Sequence, residues 1–524
     1  MNSYLQQVST AARRAAQAKD WTQVRACAKE ILNRQRDSAE GRFLLGLAEK
    51  SSNRREQAIK AFSKAISLDD GRYDAAIELA DQYLYSHRYG DAVNLLRQFE
   101  QLLSNSPRYL DMAGMIYTKA GLPEKAWPLH KKANELQPGI DSLRANFAAC
   151  CVFVGKLDEA KQIYADLLEK HPNHQRNHYE LSRLGRAADS EHVEQMKEVL
   201  RATNLKPEQN IYIYYAIGKE LEDLEQWDEA FEYYKMAGDA AASVANYDVE
   251  ADIRLIDKVI EVCNKDWLQQ GAIEQATDEV QKVPVFIIGL PRSGTTLTER
   301  ILASHSNVES AGESYLLQIA IKQESRVRSS DNMSPEIIES AARKDIRRIA
   351  SGYLEAIDYK LGDKPLFIEK FPENMLYVGF IAKAFPRCQI ILQKRNPMDT
   401  CFAMYKQSYF RYAYSLDDLG PYYVAYDRLY RHWCEQLAAR LIEVEYEAMV
   451  SNQEGETRTL LERMGLDFEQ ACLHFEKNVT ASNTASTVQI REKVHTRSVQ
   501  RWKFFEERLQ SLRNHLQDAG IELQ

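Results

Sequence analysis

VPVFIIGLPRSGTTLTERILASH, residues 283–305, holds three kinds of backbone in succession. Val283 to Leu290 is a β-branched apolar run with no helical period, which reads as a buried strand. PRSGTT supplies turn residues, and LTERILASH opens a helix. Strand, tight loop and helix together open an α/β unit. Later apolar runs, PLFIEK at 365–370, CQIILQK at 388–394 and ARLIEVEY at 439–446, each follow a helical pattern. That alternation predicts a parallel sheet with crossover helices over residues 283–524.

Gly289 to Thr296 reads G-L-P-R-S-G-T-T and fits the phosphate loop G-x-x-x-x-G-K-[ST] everywhere except the lysine, where Thr295 stands. Such a loop aims backbone N–H groups and a helix N-terminus at an anion, so Ser293, Gly294, Thr295 and Thr296 are expected to hold a nucleotide's 5′-phosphate. The missing lysine is the group that reaches the outer phosphates of a triphosphate. With Arg292 as the loop's cation, the pattern suits a donor with a single 5′-phosphate better than ATP, and it requires no metal.

The rest of the composition narrows the class. The chain has 524 residues, 44% hydrophobic and 27% charged, enough for two or three cores. Its net charge of −8 argues against a nucleic-acid-binding surface, so any anion site is local. Residues 1–20 lack the apolar core of a signal peptide, and no apolar run has the length to span a bilayer. Eight scattered cysteines without CxxC spacing read as buried thiols in a reducing compartment, and the expected location is the cytoplasm. Adjacent Cys150 and Cys151 point to different helix faces and read as packing rather than as a redox pair. The tyrosines and cations between 405 and 433 resemble a nucleic-acid platform only superficially; they read as helices lining an acceptor cleft or filling core.

Before residue 283 the chain repeats. Ala58, Ala92, Ala126 and Ala160 recur at intervals of 34, each with a small residue twelve positions earlier, at Gly46, Ala80, Gly114 and Ala148. The period extends back to Val24, fails at Glu194, and returns at Ala230 with Gly218. Period, small residues and the aromatics Phe62, Tyr214 and Tyr234 resemble tetratricopeptide repeats, roughly six units with one degenerate. The resemblance implies a superhelix of helix pairs over residues 1–240, then a helical linker at 241–282. Such a groove takes a peptide or a protein partner; a dimerisation or spacer module is the alternative.

The carboxy-terminal motifs also carry a resemblance. GLPRSGTT, GES, IEKFPEN, KRNPMDT, VEYEAMV and TASTVQIREKVHTRSVQRW stand in the order found in sulfotransferases, nearest the tyrosylprotein branch, and fusion to tetratricopeptide repeats is similar to a bacterial subgroup. The resemblance implies transfer of a sulfuryl group from 3′-phosphoadenosine-5′-phosphosulfate to a hydroxyl. It implies Glu313 as catalytic base, Lys370 bridging sulfuryl group and leaving oxygen, and Arg292 on the leaving phosphate. Ser486 falls on the donor's bridging side, with Ser482, Thr484 and Thr487 near enough to be the aligned hydroxyl instead. Arg395 implies a 3′-phosphate contact, Tyr446 an adenosine contact or a core aromatic, and Arg501 a contact from a closing carboxy-terminal segment, with Arg491 or Lys493 in the same part. The family's serine eight residues after the arginine is replaced by Ala403, which cannot donate a hydrogen bond.

Each role has a competing reading. Glu313 reads as a desolvated base or as an exposed loop glutamate, His305 as a second base or a packing residue, and Glu369 as structural because it points opposite to Lys370 on a strand. Two rival functions stay open: a P-loop small-molecule kinase, and a non-catalytic nucleotide-binding scaffold suggested by Ala403. The motifs do not choose among a tyrosine, a sugar and a small phenol as acceptor. The length of the repeat favours a protein or peptide, held close to the reacting end.

Overall fold

The computed structural model describes residues 3–103, 106–270, 282–478, 480–482, 484 and 486–523, so residues 271–281 of the expected linker lie outside the described residues. The chain forms two compact units, residues 1–150 with 356–360, and residues 151–355 with 361–524.

The first unit is helical. Its helices run from Ser3–Gln17 to Pro123–Leu136 and pair in sequence order. Ala58, Ala92 and Ala126 are fully buried where the period places them. Gly46 shows why the partner position stays small: a Cβ there would lie 2.4 Å from the Phe62 ring. Two apolar clusters fill the unit, one around Phe43, Leu44 and Phe62 and one around Leu96, Leu110 and Tyr117.

The expected array of residues 1–240 runs across both units. Fourteen α-helices lie between Ser3 and Ala245 among the described residues, a number that matches seven period positions from Val24 to Ala230 where the period reads as roughly six units. The stretch where the period fails, read as the degenerate unit, is helical as well. Glu194 is exposed, but the helix Glu191–Thr203 buries Val193, Met196 and Val199 in its place. The last pair consists of α1 (Ile211–Asp223) and α2 (Trp227–Ala245). Helices Val249–Val262 and Lys265–Gln269 follow, within the expected linker. Cys150 and Cys151 are both buried and not joined to each other; the Cys150 sulfur faces the Pro123 carbonyl and the Cys151 sulfur faces Glu159.

The second unit is built on a five-stranded sheet, β1 (Val283–Gly289), β2 (Val308–Ser310), β3 (Leu366–Lys370), β4 (Gln389–Lys394) and β5 (Leu441–Glu445), ordered β2-β3-β1-β4-β5. Every pairing is parallel. Four of these strands match the apolar runs; β2 has three residues at the sheet edge, too short to read as a run. Val285 to Ile288 are fully buried in the central strand, as helices on both faces require. Parallel pairing brings every carboxyl end to one edge, where α3 (Thr295–Ala303) follows β1 and α4 (Pro397–Tyr405) follows β4. The tyrosine-rich stretch enters α5 (Leu416–Leu437), which buries Tyr423, Tyr426 and Trp433, while Tyr412 stacks on Tyr422 at 3.9 Å.

Candidate functional site

The loop from β1 to α3 turns twice through left-handed backbone, at Arg292 (φ 66°) and Gly294 (φ 105°). Gly294 has a second constraint, because a Cβ would stand 2.6 Å from Tyr446 Cδ2. Ser293 closes the loop: its N–H and its hydroxyl both donate to the Leu290 carbonyl, at 3.2 and 2.6 Å. The N–H groups of Gly294, Thr295 and Thr296 open α3, where a helix offers no partner to its first donors. The loop is therefore a backbone anion cradle backed by a helix N-terminus.

Two guanidinium groups stand over it. Arg292 donates to Ser486 Oγ and, at 2.9 Å, to Gln489 Oε1. Arg395, the residue after β4, donates at 2.6 Å to the carbonyls of Arg292 and of Ser498. It lies 4.6 Å over the Tyr446 ring at the end of β5. Together with Gly294, Thr295 and Thr296 these residues line one cavity of about 100 Å³, much of whose wall comes from residues between Ser486 and Ser498. Among the described residues neither arginine pairs with a carboxylate, and the Nε of each is buried without a partner. Burial, then the like charges of Arg395 and Arg183, push the Arg292 guanidinium down to about 10. A cation pair held in this way fits a nucleotide's phosphates.

The second half of the site lies at the end of β3. Past β2, Ala311 N–H donates to the Ile368 carbonyl at 2.8 Å and Lys370 N–H to the Gly312 carbonyl at 3.1 Å. The loop AGES thus continues the pairing and brings Glu313 onto Lys370. The Lys370 ammonium, 1% exposed, ion-pairs with Glu313 and lies 3.8 Å from Glu299 of α3. The Glu313 side chain is one-third exposed (33%), so position rather than desolvation recommends it as a base. Its neighbour Glu369 points the other way and accepts from Tyr353, Asn374 and Ser314, a buried structural hub.

Not every expected residue arrives. Ser293 spends its donors on loop closure and does not line the cavity. Arg501 does not line it either; its guanidinium is turned to Glu222 of α1, with Nε 3.0 Å from the carboxylate. His305 is buried with Nε2 donating to the Asp467 carbonyl at 3.0 Å and Nδ1 accepting from Asn307, which makes it a packing residue. Of the four neighbouring hydroxyls Ser486 alone lines the cavity, while Thr487 bonds the carbonyls of Ser482 and Thr484. Ala403 sits within α4 and is absent from the cavity wall. Sequence reading missed Gln489, whose carboxamide gives no signal, and Glu299. A carboxylate four residues into a helix that follows a phosphate loop, on the face toward the strands, was the available clue to Glu299.

Among the described residues no helix is long and apolar enough to cross a membrane. A sulfotransferase-family model matches residues 284–470, and a tetratricopeptide-repeat model matches residues 39–72. An "uncharacterized protein" of Aquifex aeolicus is 26% identical over 428 residues, 80% of this chain and 56% of that protein. Protein-tyrosine sulfotransferase 1 of Danio rerio is 24% identical over 238 residues, 42% of this chain and 65% of that protein. Protein-tyrosine sulfotransferase A of Caenorhabditis elegans is 23% identical over 237 residues, 42% of this chain and 60% of that protein. The chain thus spans less than two thirds of the length of each of these relatives.

Proposed function

We propose that the domain whose residues 284–470 match a sulfotransferase-family model takes the sulfuryl group from 3′-phosphoadenosine-5′-phosphosulfate and passes it to a protein or peptide hydroxyl. The observation that carries this reading is the placement of the Lys370–Glu313 pair and the cation-lined phosphate loop at the ends of adjacent strands of one sheet.

In this reading the N–H groups of Gly294, Thr295 and Thr296 hold the 5′-phosphate, with Ser293 closing the loop beneath them. Arg292 and Ser486 face the leaving side, Arg395 takes the 3′-phosphate, and Tyr446 supports the adenosine. Arg501 serves this site from outside the cavity. Glu313 accepts the acceptor hydroxyl's proton as the new O–S bond forms, and the bond between sulfur and the phosphate oxygen breaks with its electron pair leaving on that oxygen. Lys370 stands where that charge develops. No step calls on a metal. The acceptor is captured by the array of residues 1–240, joined through 241–282 to a transferase domain of residues 283–524, and the protein works in the cytoplasm.

The test is transfer itself. With radiolabelled donor and a lysate as acceptor source, label is expected in protein, and Glu313→Ala is expected to abolish it. Label appearing only in glycans or small metabolites would overturn the protein acceptor, and no transfer at all from this donor would overturn the reading.

A further inference from the structure

The part of the donor cavity wall formed by residues 486–498 is fastened on both sides to residues of the repeat region that belong to its own compact unit, the Phe153–Gly155 turn and Glu222. On the amino-terminal side, Ser482 N–H donates to the Phe153 carbonyl at 3.0 Å, and the Arg491 guanidinium donates to the same carbonyl at 3.1 Å. Phe153 ends the helix Asp141–Phe153, and the turn after it leaves room for that guanidinium through Gly155 alone. Gly155 has φ +81°, and a Cβ there would fall 2.2 Å from Arg491 Cζ.

On the carboxy-terminal side the anchor is Glu222 of α1, a carboxylate 7% exposed. It accepts from Lys406 Nζ at 2.8 and 2.9 Å, from Arg501 Nε at 3.0 Å and from the Tyr234 hydroxyl of α2 at 2.7 Å. Burial alone would raise its pKa, but Lys406 and Arg501 hold it below the usual carboxylate range. Arg501 also lies 4.5 Å over the Trp227 ring of α2, on which Phe504 stacks at 4.5 Å. Beside it, Gln500 and Trp502 donate their N–H groups to Asp399 of α4 at 2.6 and 3.0 Å. A buried carboxylate that neutralises two cations from two other segments fixes both, and its loss leaves both uncompensated.

We infer that Glu222 and the Phe153–Gly155 turn are positioning residues of the donor site: the last repeats hold the cavity wall in place, and nucleotide affinity depends on them. These residues touch no substrate and act through Arg501, Lys406 and Arg491. A peptide or protein seated on these helices would be linked to donor affinity through the same fastenings, and the linkage is reciprocal.

The inference rests on the reading of the cavity as a nucleotide site, so its test has one arm that needs no nucleotide. Hydrogen exchange on the full chain compares wild type with Glu222→Gln and Arg491→Ala. Amides of 486–498 are expected to exchange at least about tenfold faster in each variant while those of β1 stay unchanged. The second arm measures binding of adenosine 3′,5′-bisphosphate. It is expected to weaken about tenfold in both variants, with turnover at saturating donor within about threefold of wild type and Glu222→Asp recovering part of the loss. Arg491→Ala removes one fastening at a half-buried position and keeps the test decisive should Glu222→Gln unfold. Wild type that fails to bind the bisphosphate defeats the nucleotide reading. Variants that bind it as wild type does, or that exchange faster throughout the sheet as well as the wall, overturn the positioning role.

Discussion

Lys370 and the pair Arg292–Arg395 are both cations drawn into the same end of one sheet, yet their surroundings differ in kind. Lys370 is neutralised from within, by Glu313 in contact and Glu299 at 3.8 Å. The two arginines face a hydroxyl, a carboxamide and backbone carbonyls, and each keeps a buried Nε without a partner. The first arrangement is complete without a ligand and suits a group that must handle a proton and a developing charge. The second holds like charges together at a cost in desolvation, which an anion offsets on arrival. In the proposed reading, the first region serves the chemical step and the second holds the donor.

The comparison breaks most sharply in turnover. Glu313→Ala and Lys370→Ala are each expected to lower kcat by about 10²–10⁴, with bisphosphate affinity within about threefold, as steady-state rates and calorimetry on the same samples would read. A Glu313→Ala enzyme at wild-type rate would remove the carboxylate from the mechanism and leave Lys370 a structural cation. Arg292→Ala crosses the divide, since it loses charge-assisted hydrogen bonds to a phosphate as well as the contact to Ser486. Affinity for the bisphosphate is expected to fall about 10–100-fold and kcat to fall with it.

Arg395→Lys sharpens the donor side alone. A lysine keeps the charge but loses the planar fork that reaches two carbonyls and lies over Tyr446, so affinity is expected to drop about tenfold with kcat unchanged. The smallest effect belongs to the first unit. Deleting residues 1–150 is expected to raise KM for a macromolecular acceptor severalfold and to leave turnover on a small phenol within about twofold. Unchanged KM in a protein that still binds the bisphosphate would assign those repeats to assembly or to another partner.

Much of this was legible in residue order. The phosphate loop, four strands and the period of 34 follow from local patterns, because strand runs and helix-pair contacts repeat within short windows. Glu313, Arg292 and Arg395 could be placed at one edge of the sheet by motif because each follows a strand, and Lys370 because it ends one. The unit at Glu194 read as degenerate because Val193 and Met196 replace one alanine with a different packing pattern. The role proposed for Glu222 was invisible for another reason: it depends on contacts to Lys406 and Arg501, 184 and 279 residues away along the chain. Ser293 and Arg501 show the same limit, since a motif places a residue near a site but does not say which partner claims its donors.

Arg292 and Arg395 decide which nucleotide the cavity holds. Calorimetry of the full chain in chelator, with adenosine 3′,5′-bisphosphate and separately with ATP plus magnesium, tests it directly. The expected result is tighter binding of the bisphosphate, with no need for magnesium and with affinity falling as salt rises, as phosphates on guanidinium groups require. Equal or tighter binding of magnesium ATP would contradict the account and turn the same pocket into that of a kinase.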